Sequence, residues 1–158
     1  MYVVLKHALF MDIEIKTFKE LDTATLYDIL ELRSSVFVVE QNCVYQDIDN
    51  KDREALHVIF KKKGRVVAYT RCFAPGLYFK EASIGRVVVL KNQRNNNYGH
   101  QIMKVSLQAI LLNYNTKDVA LSAQTYLKEF YEFHGFYKTG KEYLEDGIPH
   151  ILMRNTAI

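Results

Sequence analysis

The stretch Val87-Val-Val-Leu-Lys-Asn-Gln-Arg-Asn-Asn-Asn-Tyr-Gly-His100 joins a predicted strand to a predicted helix. Its first four residues, Val87–Leu90, are all apolar, as in a strand at the middle of a sheet with helices on both faces. Apolar residues then recur at helical spacing from Ile102 to Leu111. A helix that starts between these two patterns has free backbone N–H groups and a positive dipole end, which favour an anion such as phosphate.

Three residues of this junction suit an anion site. Arg94 adds a fixed positive charge at its mouth. Gly99 allows the backbone to approach a ligand closely, and Asn97 is, after glycine, the residue that best tolerates a left-handed conformation. Asparagine is also common in helix caps and turns, so the segment alone leaves both a phosphate site and an ordinary turn open.

Outward from the junction, the apolar pattern predicts an α/β protein of the α+β kind, with a mixed sheet and helices packed on it. A period of two predicts a first strand from Met11 to Ile15, and helical spacing predicts a helix from Asp22 or Thr23 to about Val39. The later predicted elements are the strands Leu56–Lys61, Arg65–Ala74 and Ser83–Leu90, a helix with Ile102 and Leu111, the strand Val119–Ala123, a helix from Leu127, and a hairpin of Phe136–Leu144 and Ile148–Met153.

The connections between these elements also carry predictions. Tight turns are predicted at Lys63-Gly64 and Asp146-Gly147, and Gly135 is predicted to end a helix in the left-handed conformation. Residues 40–53 lose all periodicity, which predicts an irregular loop with one short helical turn. The acidic part, Asp47 to Asp52, is expected to be solvated, with attraction of a cationic ligand as the alternative.

Length and composition limit the number of domains and the classes of partner that the protein can have. A chain of 158 residues predicts one domain at 11–158, preceded by an N-terminal extension at 1–10. The net charge of +3 comes without a basic stripe, which argues against nucleic acid, and no run approaches the roughly 18 apolar residues of a membrane helix. Cys43 and Cys72 are predicted to be reduced thiols of a cytoplasmic protein, and no histidine pair has metal-ligand spacing.

A second informative stretch is Gln124-Thr-Tyr-Leu-Lys-Glu-Phe-Tyr131-Glu-Phe-His-Gly-Phe136. Tyr131 falls at helical spacing with Leu127 and Phe130. A phenol can donate a proton to a departing thiolate when it lies beside the sulfur. The alternative is a core aromatic residue, since the chain contains 11 tyrosines.

Together, Gln93-Arg-x-x-Asn-x-Gly99 and Gln124-x-x-Leu-x-x-Phe-Tyr-x-x-x-Gly-Phe136 resemble two motifs of the GNAT superfamily of acetyl-CoA-dependent N-acetyltransferases. Three further stretches, Leu32–Gln41, Ile84–Val89 and Glu145–Met153, resemble the ElaA-like branch of that superfamily. The resemblance covers nearly the whole predicted domain. It implies the GNAT fold, in which a central mixed, mostly antiparallel sheet is flanked by helices.

The resemblance also implies acetyl-CoA as the co-substrate and no metal. The pyrophosphate loop of the family has a glycine where this chain has Asn97, and the family's usual general acid matches Tyr131. The residues that the resemblance assigns to cofactor binding are Val87, Val88, Val89, Arg94, Asn95, Asn96, Asn97, Tyr98, Gly99, His100 and Gln124.

The general base is left open by the sequence. Glu40, Glu145 and His150 are the candidates for the base beside Tyr131 as the general acid, and an imidazole titrates nearest to neutral pH. The alternatives are a helix-end carboxylate for Glu40 and a structural hydrogen-bond donor for His150. Arg86 and Glu145 are predicted to contact the acceptor substrate, with a structural ion pair as the alternative for Arg86.

The implied reaction transfers an acetyl group directly from acetyl-CoA to a primary amine in a ternary complex, since no nucleophilic cysteine or serine stands out. The amine belongs to a small molecule or a peptide. The alternative is an acyl-CoA-binding protein that senses or interacts without catalysis. Neither nucleic acid nor a membrane is an expected partner, and the sequence leaves a homodimer open.

Overall fold

A computed structural model of the protein describes residues 11–156, and the predicted N-terminal extension lies outside these residues. The described strands and helices follow one another in the predicted order. The strands are β1 Met11–Thr17, β2 Leu56–Lys62, β3 Arg65–Phe73, β4 Ala82–Val89, β5 Val119–Gln124, β6 Tyr137–Glu145 and β7 Ile148–Asn155. The helices are α1 Thr23–Arg33, α2 Tyr98–Tyr114 and α3 Lys128–Glu132. Short 3-10 turns span Phe18–Glu20, Lys51–Glu54, Lys91–Asn96 and Thr125–Leu127.

The seven strands form one sheet in the order β1-β2-β3-β4-β5-β7-β6. Every neighbouring pair is antiparallel except β4 and β5, which are parallel. That parallel pairing covers only Ala82 with Val119 and Ser83 with Ala120. Past this point residues 84–89 pair, among the described strands, with β3 alone, so a gap opens between β4 and β5.

Helices cover both faces of the sheet. On one face α2 packs its Ile102, Met103 and Ile110 into the larger apolar core. On the other face α1 packs Ile29 and Leu32 against the middle strands. Val88 is buried in the core on the α1 side, and the partly buried Val87 and Val89 pack against the larger core, which explains the continuous apolar run at the end of β4.

The predicted turns are confirmed. Lys63 and Gly64 have φ of 51° and 76°, and Asp146 and Gly147 have φ of 50° and 78°. Positive φ at both central residues is the pattern of a two-residue hairpin turn. Gly135, with φ of 85°, ends the segment after α3 as predicted.

The segment between α1 and β2 differs from the prediction in two ways. The predicted helix is α-helical only to Arg33 and continues as a π-helix over Ser34–Glu40. The acidic part is not solvated, because Asp47 and Asp52 are each only 6% exposed. Both carboxylates pair with the fully buried Arg33, at 3.0 Å and 2.7 Å. Sequence periodicity cannot show such pairing, since the partners are far apart along the chain.

Candidate active site

A cleft of about 810 Å³ lies over the gap between β4 and β5. Its walls come from the end of the π-helix, the β4–α2 junction, the end of β5, the start of α3 and the β6–β7 turn. All the site residues predicted from the sequence line this cleft, except Asn96 and Tyr98. The fold thus brings together residues that are up to 110 positions apart, from Glu40 to His150.

Asn97 takes the left-handed conformation, with φ of 61° and ψ of 19°, at the residue before α2. Glycine would adopt this conformation without steric cost, and asparagine is the side chain that tolerates it best. Gly99 has no positive φ, but a Cβ atom there would lie 3.4 Å from Phe130 Cε2 and 3.8 Å from Val89 Cγ2. The left-handed backbone conformation of the loop therefore falls on Asn97, whereas a Cβ atom at Gly99 would make ordinary van der Waals contacts and only a larger side chain would be crowded.

Arg94 bridges two walls of the cleft. Its Nη1 and Nη2 atoms donate to the two carboxylate oxygens of Glu40 at 2.5 Å and 3.0 Å. Its Nε donates to the Val89 carbonyl at 3.2 Å. The hydrogen bond from Arg94 lowers the pKa of Glu40 below its ordinary value. The Glu40 carboxylate is thus kept ionised, and both of its oxygens accept hydrogen bonds from Arg94, which makes it a weak proton acceptor.

Tyr131 lines the cleft although it is only 5% exposed. Its ring packs edge-on against Phe130 and Phe136, with ring centroids 5.0 Å and 6.1 Å away. Burial raises the pKa of the phenol well above its ordinary value, so the hydroxyl stays protonated at neutral pH. Within residues 11–156 no group hydrogen-bonds this hydroxyl. Its proton is free for a ligand.

His150 has a fixed tautomer. Its Nδ1 atom lies 2.7 Å from the Ile148 carbonyl, and because a carbonyl only accepts, Nδ1 carries the proton. The Nε2 atom of the neutral ring then has a free lone pair, as a general base requires. The imidazole stacks on the Tyr143 ring at 6.2 Å between centroids. In register it lies opposite Gln124 of β5.

A family model for the acetyltransferase (GNAT) domain matches residues 21–157 of the sequence. The chain belongs to the GNAT acetyltransferase family. It is 40% identical to protein ElaA of Escherichia coli over 141 residues, which cover 88% of this chain and 92% of ElaA. The predicted family is confirmed.

Solved structures agree with this assignment. An acyl-CoA N-acyltransferase from Pseudomonas aeruginosa matches this GNAT chain with a TM-score of 0.86 and 39% identity. The crystal structure of E. coli ElaA matches with a TM-score of 0.85 and 37% identity. Each match covers 92% of this chain and 99% of the other. The predicted fold is confirmed, and the chain is an acyltransferase of a family that transfers acyl groups from coenzyme A.

Ser122 also lines the cleft of the acyltransferase, and the sequence did not single it out. Ser122 Oγ lies 2.5 Å from the Tyr143 hydroxyl and donates to Glu145 Oε2 at 2.9 Å. Strand alternation offered a signal, because Ser122 shares a face with Gln124. The register of the β6–β7 hairpin places Tyr143 beside His150, but the bulge in that hairpin could not be read from sequence.

Arg86 of the GNAT domain lines the cleft but is already paired. Its Nε donates to Asp47 Oδ1 at 2.7 Å, and Nη2 donates to the Asp47 carbonyl at 3.2 Å. Its φ is 51°, at the irregularity where β4 gains one residue over β3. The geometry therefore favours the structural ion pair that the sequence offered as the alternative role for this residue.

Gln124 and the cysteines complete the site. Gln124 Nε2 donates to Gln41 Oε1 at 3.0 Å across the cleft. Cys72 is buried away from the cleft, and burial raises the pKa of its thiol to about 12, so it is unreactive at neutral pH. Cys43 is also buried, and its Sγ lies 3.5 Å from the Asp146 carbonyl.

No group of three or more His, Cys, Asp and Glu side chains within residues 11–156 is placed to hold a metal ion. No helix in the same range is long and apolar enough to cross a membrane.

Proposed function

We propose that the protein is an N-acetyltransferase that transfers the acetyl group of acetyl-CoA directly to a primary amine in a ternary complex. The observation that carries the proposal is the pairing of a proton donor and a proton acceptor on one cleft. The Tyr131 hydroxyl is protonated and free of protein partners within the described chain. Because Nδ1 of His150 donates to the Ile148 carbonyl, Nε2 is the ring nitrogen left to accept a proton. Both residues line the cleft with the β4–α2 loop.

The residues at the β4–α2 junction fit coenzyme A. The β4 backbone at residues 84–89 has no described strand beside it on the β5 side, so its N–H and C=O groups can bind the amides of a pantetheine arm. The left-handed Asn97 and the side-chain-free Gly99 open the start of α2 to a pyrophosphate. When bound, acetyl-CoA supplies the activated acetyl group as a thioester.

Side chains of the protein then accept and donate the protons of the reaction. His150 Nε2 accepts a proton from the amine, which must be neutral to attack. An N–H near Val88 or Val89 is proposed to donate to the developing oxyanion. Tyr131 donates its proton to the departing thiolate, and its raised pKa keeps that proton available. We assign Glu40 a positioning role through Arg94 instead of a role as base.

Measuring thiol release from acetyl-CoA with a panel of primary amines tests this function, with mass spectrometry of the acetylated amine as the second readout. We expect release that depends on both substrates and intersecting initial-rate plots, which report a ternary complex. Acetyl-CoA binding by calorimetry without thiol release for any amine would favour the non-catalytic alternative.

A matched pair of variants separates the two candidate bases. His150→Gln should lower kcat/KM by about a hundredfold, because general-base catalysis contributes roughly that much or more. Glu40→Gln should lower it less than tenfold and raise the KM for acetyl-CoA, since Arg94 loses its partner. The reverse order of effects would assign the base to Glu40.

A further inference from the structure

The cleft extends past the cofactor residues toward the closed end of the gap between β4 and β5. Gly85 and Ser83 of β4 line this end, and in register they lie opposite Arg71 and Phe73 of β3. These four residues share one face of the sheet. We name them the closed-end subsite.

Two polar atoms of the closed-end subsite lack a partner. Arg71 Nε and Ser83 Oγ are buried and make no hydrogen bond to any group of residues 11–156. Arg71 is 1% exposed and Ser83 is 3% exposed, yet both line the cleft. A buried polar group without a partner costs about 1–3 kcal/mol, and folded proteins contain few of them. Arg71 and Ser83 occupy diagonal positions on the paired strands β3 and β4, and both line the cleft. Two such atoms indicate a ligand group that completes their hydrogen bonding.

Gly85 leaves room for such a group. A Cβ atom at this position would have no described atom within 4 Å, so the space above it is open. Its φ is not positive, so the backbone does not require glycine. A glycine inside a strand weakens the strand. Its presence beside Arg71 is explained when the space is filled by a ligand.

The arginines around the closed-end subsite are already paired with aspartates, which favours a ligand group without charge. Arg71 donates to Asp49 and to Asp52, so its positive charge is already compensated. Arg33 and Arg86 are paired with Asp47 in the same way. A carboxylate here would add an uncompensated negative charge next to Asp49, whereas a carboxamide offers an oxygen to Arg71 Nε and an N–H to Ser83 Oγ.

The walls of the subsite are apolar and aromatic. Phe73 contacts Tyr78 at 5.4 Å between ring centroids, and Tyr78 contacts Phe79 at 5.7 Å. All three rings line the cleft. Gly85 and Val88 lie opposite Arg71 and Tyr69 of β3, which are two residues apart, and at about 3.3 Å per strand residue this separation is roughly 7 Å. A linear aliphatic chain packed against the aromatic rings spans that distance.

We propose that the acceptor is an aliphatic chain with a primary amine at one end and a neutral amide at the other, a proposal that rests on the proposed transfer to an amine. Arg71 and Ser83 bind the amide over Gly85. The side chain of a lysine within a peptide and a free ω-amino amide share this chemistry. The amine lies at His150 and the amide lies in the closed-end subsite.

Three compounds with the same chain test the proposal: 6-aminohexanamide, 6-aminohexanoate and hexylamine. Their binding to the protein loaded with coenzyme A is measured by calorimetry, which needs no turnover. We expect the amide to bind about tenfold or more tightly than either of the others, which is the effect of one hydrogen bond to a charged donor. Equal binding of the three, or tighter binding of the carboxylate, would overturn the proposal.

Two variants of the subsite sharpen the test without disturbing the ion pairs. Ser83→Ala removes an atom that has no partner in the described chain, so a purely structural role predicts no change in ligand preference. We expect it to reduce the preference for the amide over hexylamine severalfold. Gly85→Val fills the open space above the strand and should abolish the preference for the amide over hexylamine. An unchanged preference would place the amide elsewhere.

The two proposals fail in different ways. If the amide is preferred in the binding measurement but no acetylated product forms, the transfer proposal fails and the subsite stands. If other amines are acetylated while 6-aminohexanamide shows no preference, the subsite fails and the transfer stands. A peptide with one internal lysine and acetylated and amidated ends, compared with 6-aminohexanamide, then decides between a protein and a small-molecule source.

Discussion

The two ends of the cleft are lined by different kinds of groups, backbone at one end and side chains at the other. The proposed cofactor end, at the β4–α2 junction, is mainly backbone: an uncovered strand edge, a left-handed Asn97 and a Gly99 without a side chain. The proposed acceptor end is mainly side chains that reach the cleft from separate elements, such as His150 and Arg71. A ligand that all members of a family share can be bound by backbone, whereas a ligand that differs among members needs side chains to select it.

The largest expected effect is at the residue between the two ends. Tyr131→Phe should lower kcat by about a thousandfold, within the range for losing a general acid, while the Kd for acetyl-CoA changes little. Steady-state kinetics and calorimetry measure the two quantities. Burial raises the pKa of Tyr131, so its hydroxyl should stay protonated and kcat of the wild-type protein should not fall up to about pH 10 through deprotonation of this residue. Unchanged turnover in the variant would remove Tyr131 from the mechanism.

The acceptor end should depend on its ion pairs for stability. Asp47 accepts hydrogen bonds from Arg33 and Arg86, and Asp47→Asn leaves the fully buried Arg33 with less compensation. We expect a loss of about 3 kcal/mol in the free energy of unfolding, as for other broken buried pairs. Urea unfolding followed by circular dichroism measures it. Glu142→Gln, at an exposed position of β6, is the control and should change stability by less than about 0.5 kcal/mol.

The cofactor end should be sensitive to volume. A valine at Gly99 brings its methyl groups against Phe130 and Val89, where a Cβ atom alone is already 3.4 Å from Phe130. Gly99→Val should therefore weaken acetyl-CoA binding by about tenfold or more, the equivalent of roughly 1–3 kcal/mol of overpacking. Calorimetry measures the affinity. An unchanged Kd would show that the cofactor does not pass close to Gly99.

The smallest effect concerns backbone conformation. Asn97→Ala should destabilise the protein by about 1 kcal/mol, because alanine lacks asparagine's tolerance of the left-handed region, and Asn97→Gly should be nearly neutral. Thermal unfolding compares the three proteins. If alanine and glycine behave alike, the left-handed conformation of Asn97 does not limit the stability of the loop.

The same contrast explains what the sequence could predict. The cofactor end lies in one continuous stretch, and the backbone requirement appears as particular residues at fixed spacing, such as Arg94, Asn97 and Gly99. The strands and helices were predictable because apolar periodicity follows from which face is buried. Residue type indicated that Asn97 tolerates a left-handed conformation, and the structure shows that it adopts one.

The acceptor end was only partly predictable. His150 and Glu145 appeared as candidates through a resemblance. The absence of hydrogen-bond partners for Arg71 Nε and Ser83 Oγ depends on the register between β3 and β4, which the sequence does not show. The burial of Asp47 depends on arginines 14 and 39 positions away along the chain. Pattern reasoning treats a run of acidic residues as solvated, and only the folded structure shows which cations meet them.

The short parallel pairing between β4 and β5 has a mechanical consequence. Two residue pairs are all that join the β1–β4 portion of the described sheet directly to the β5–β7 portion. A molecule whose amides bind the uncovered β4 edge would act as an additional strand and make the hydrogen bonding across the sheet continuous. Occupancy of the cleft would then contribute to holding the two portions together, and the melting temperature would rise with ligand concentration.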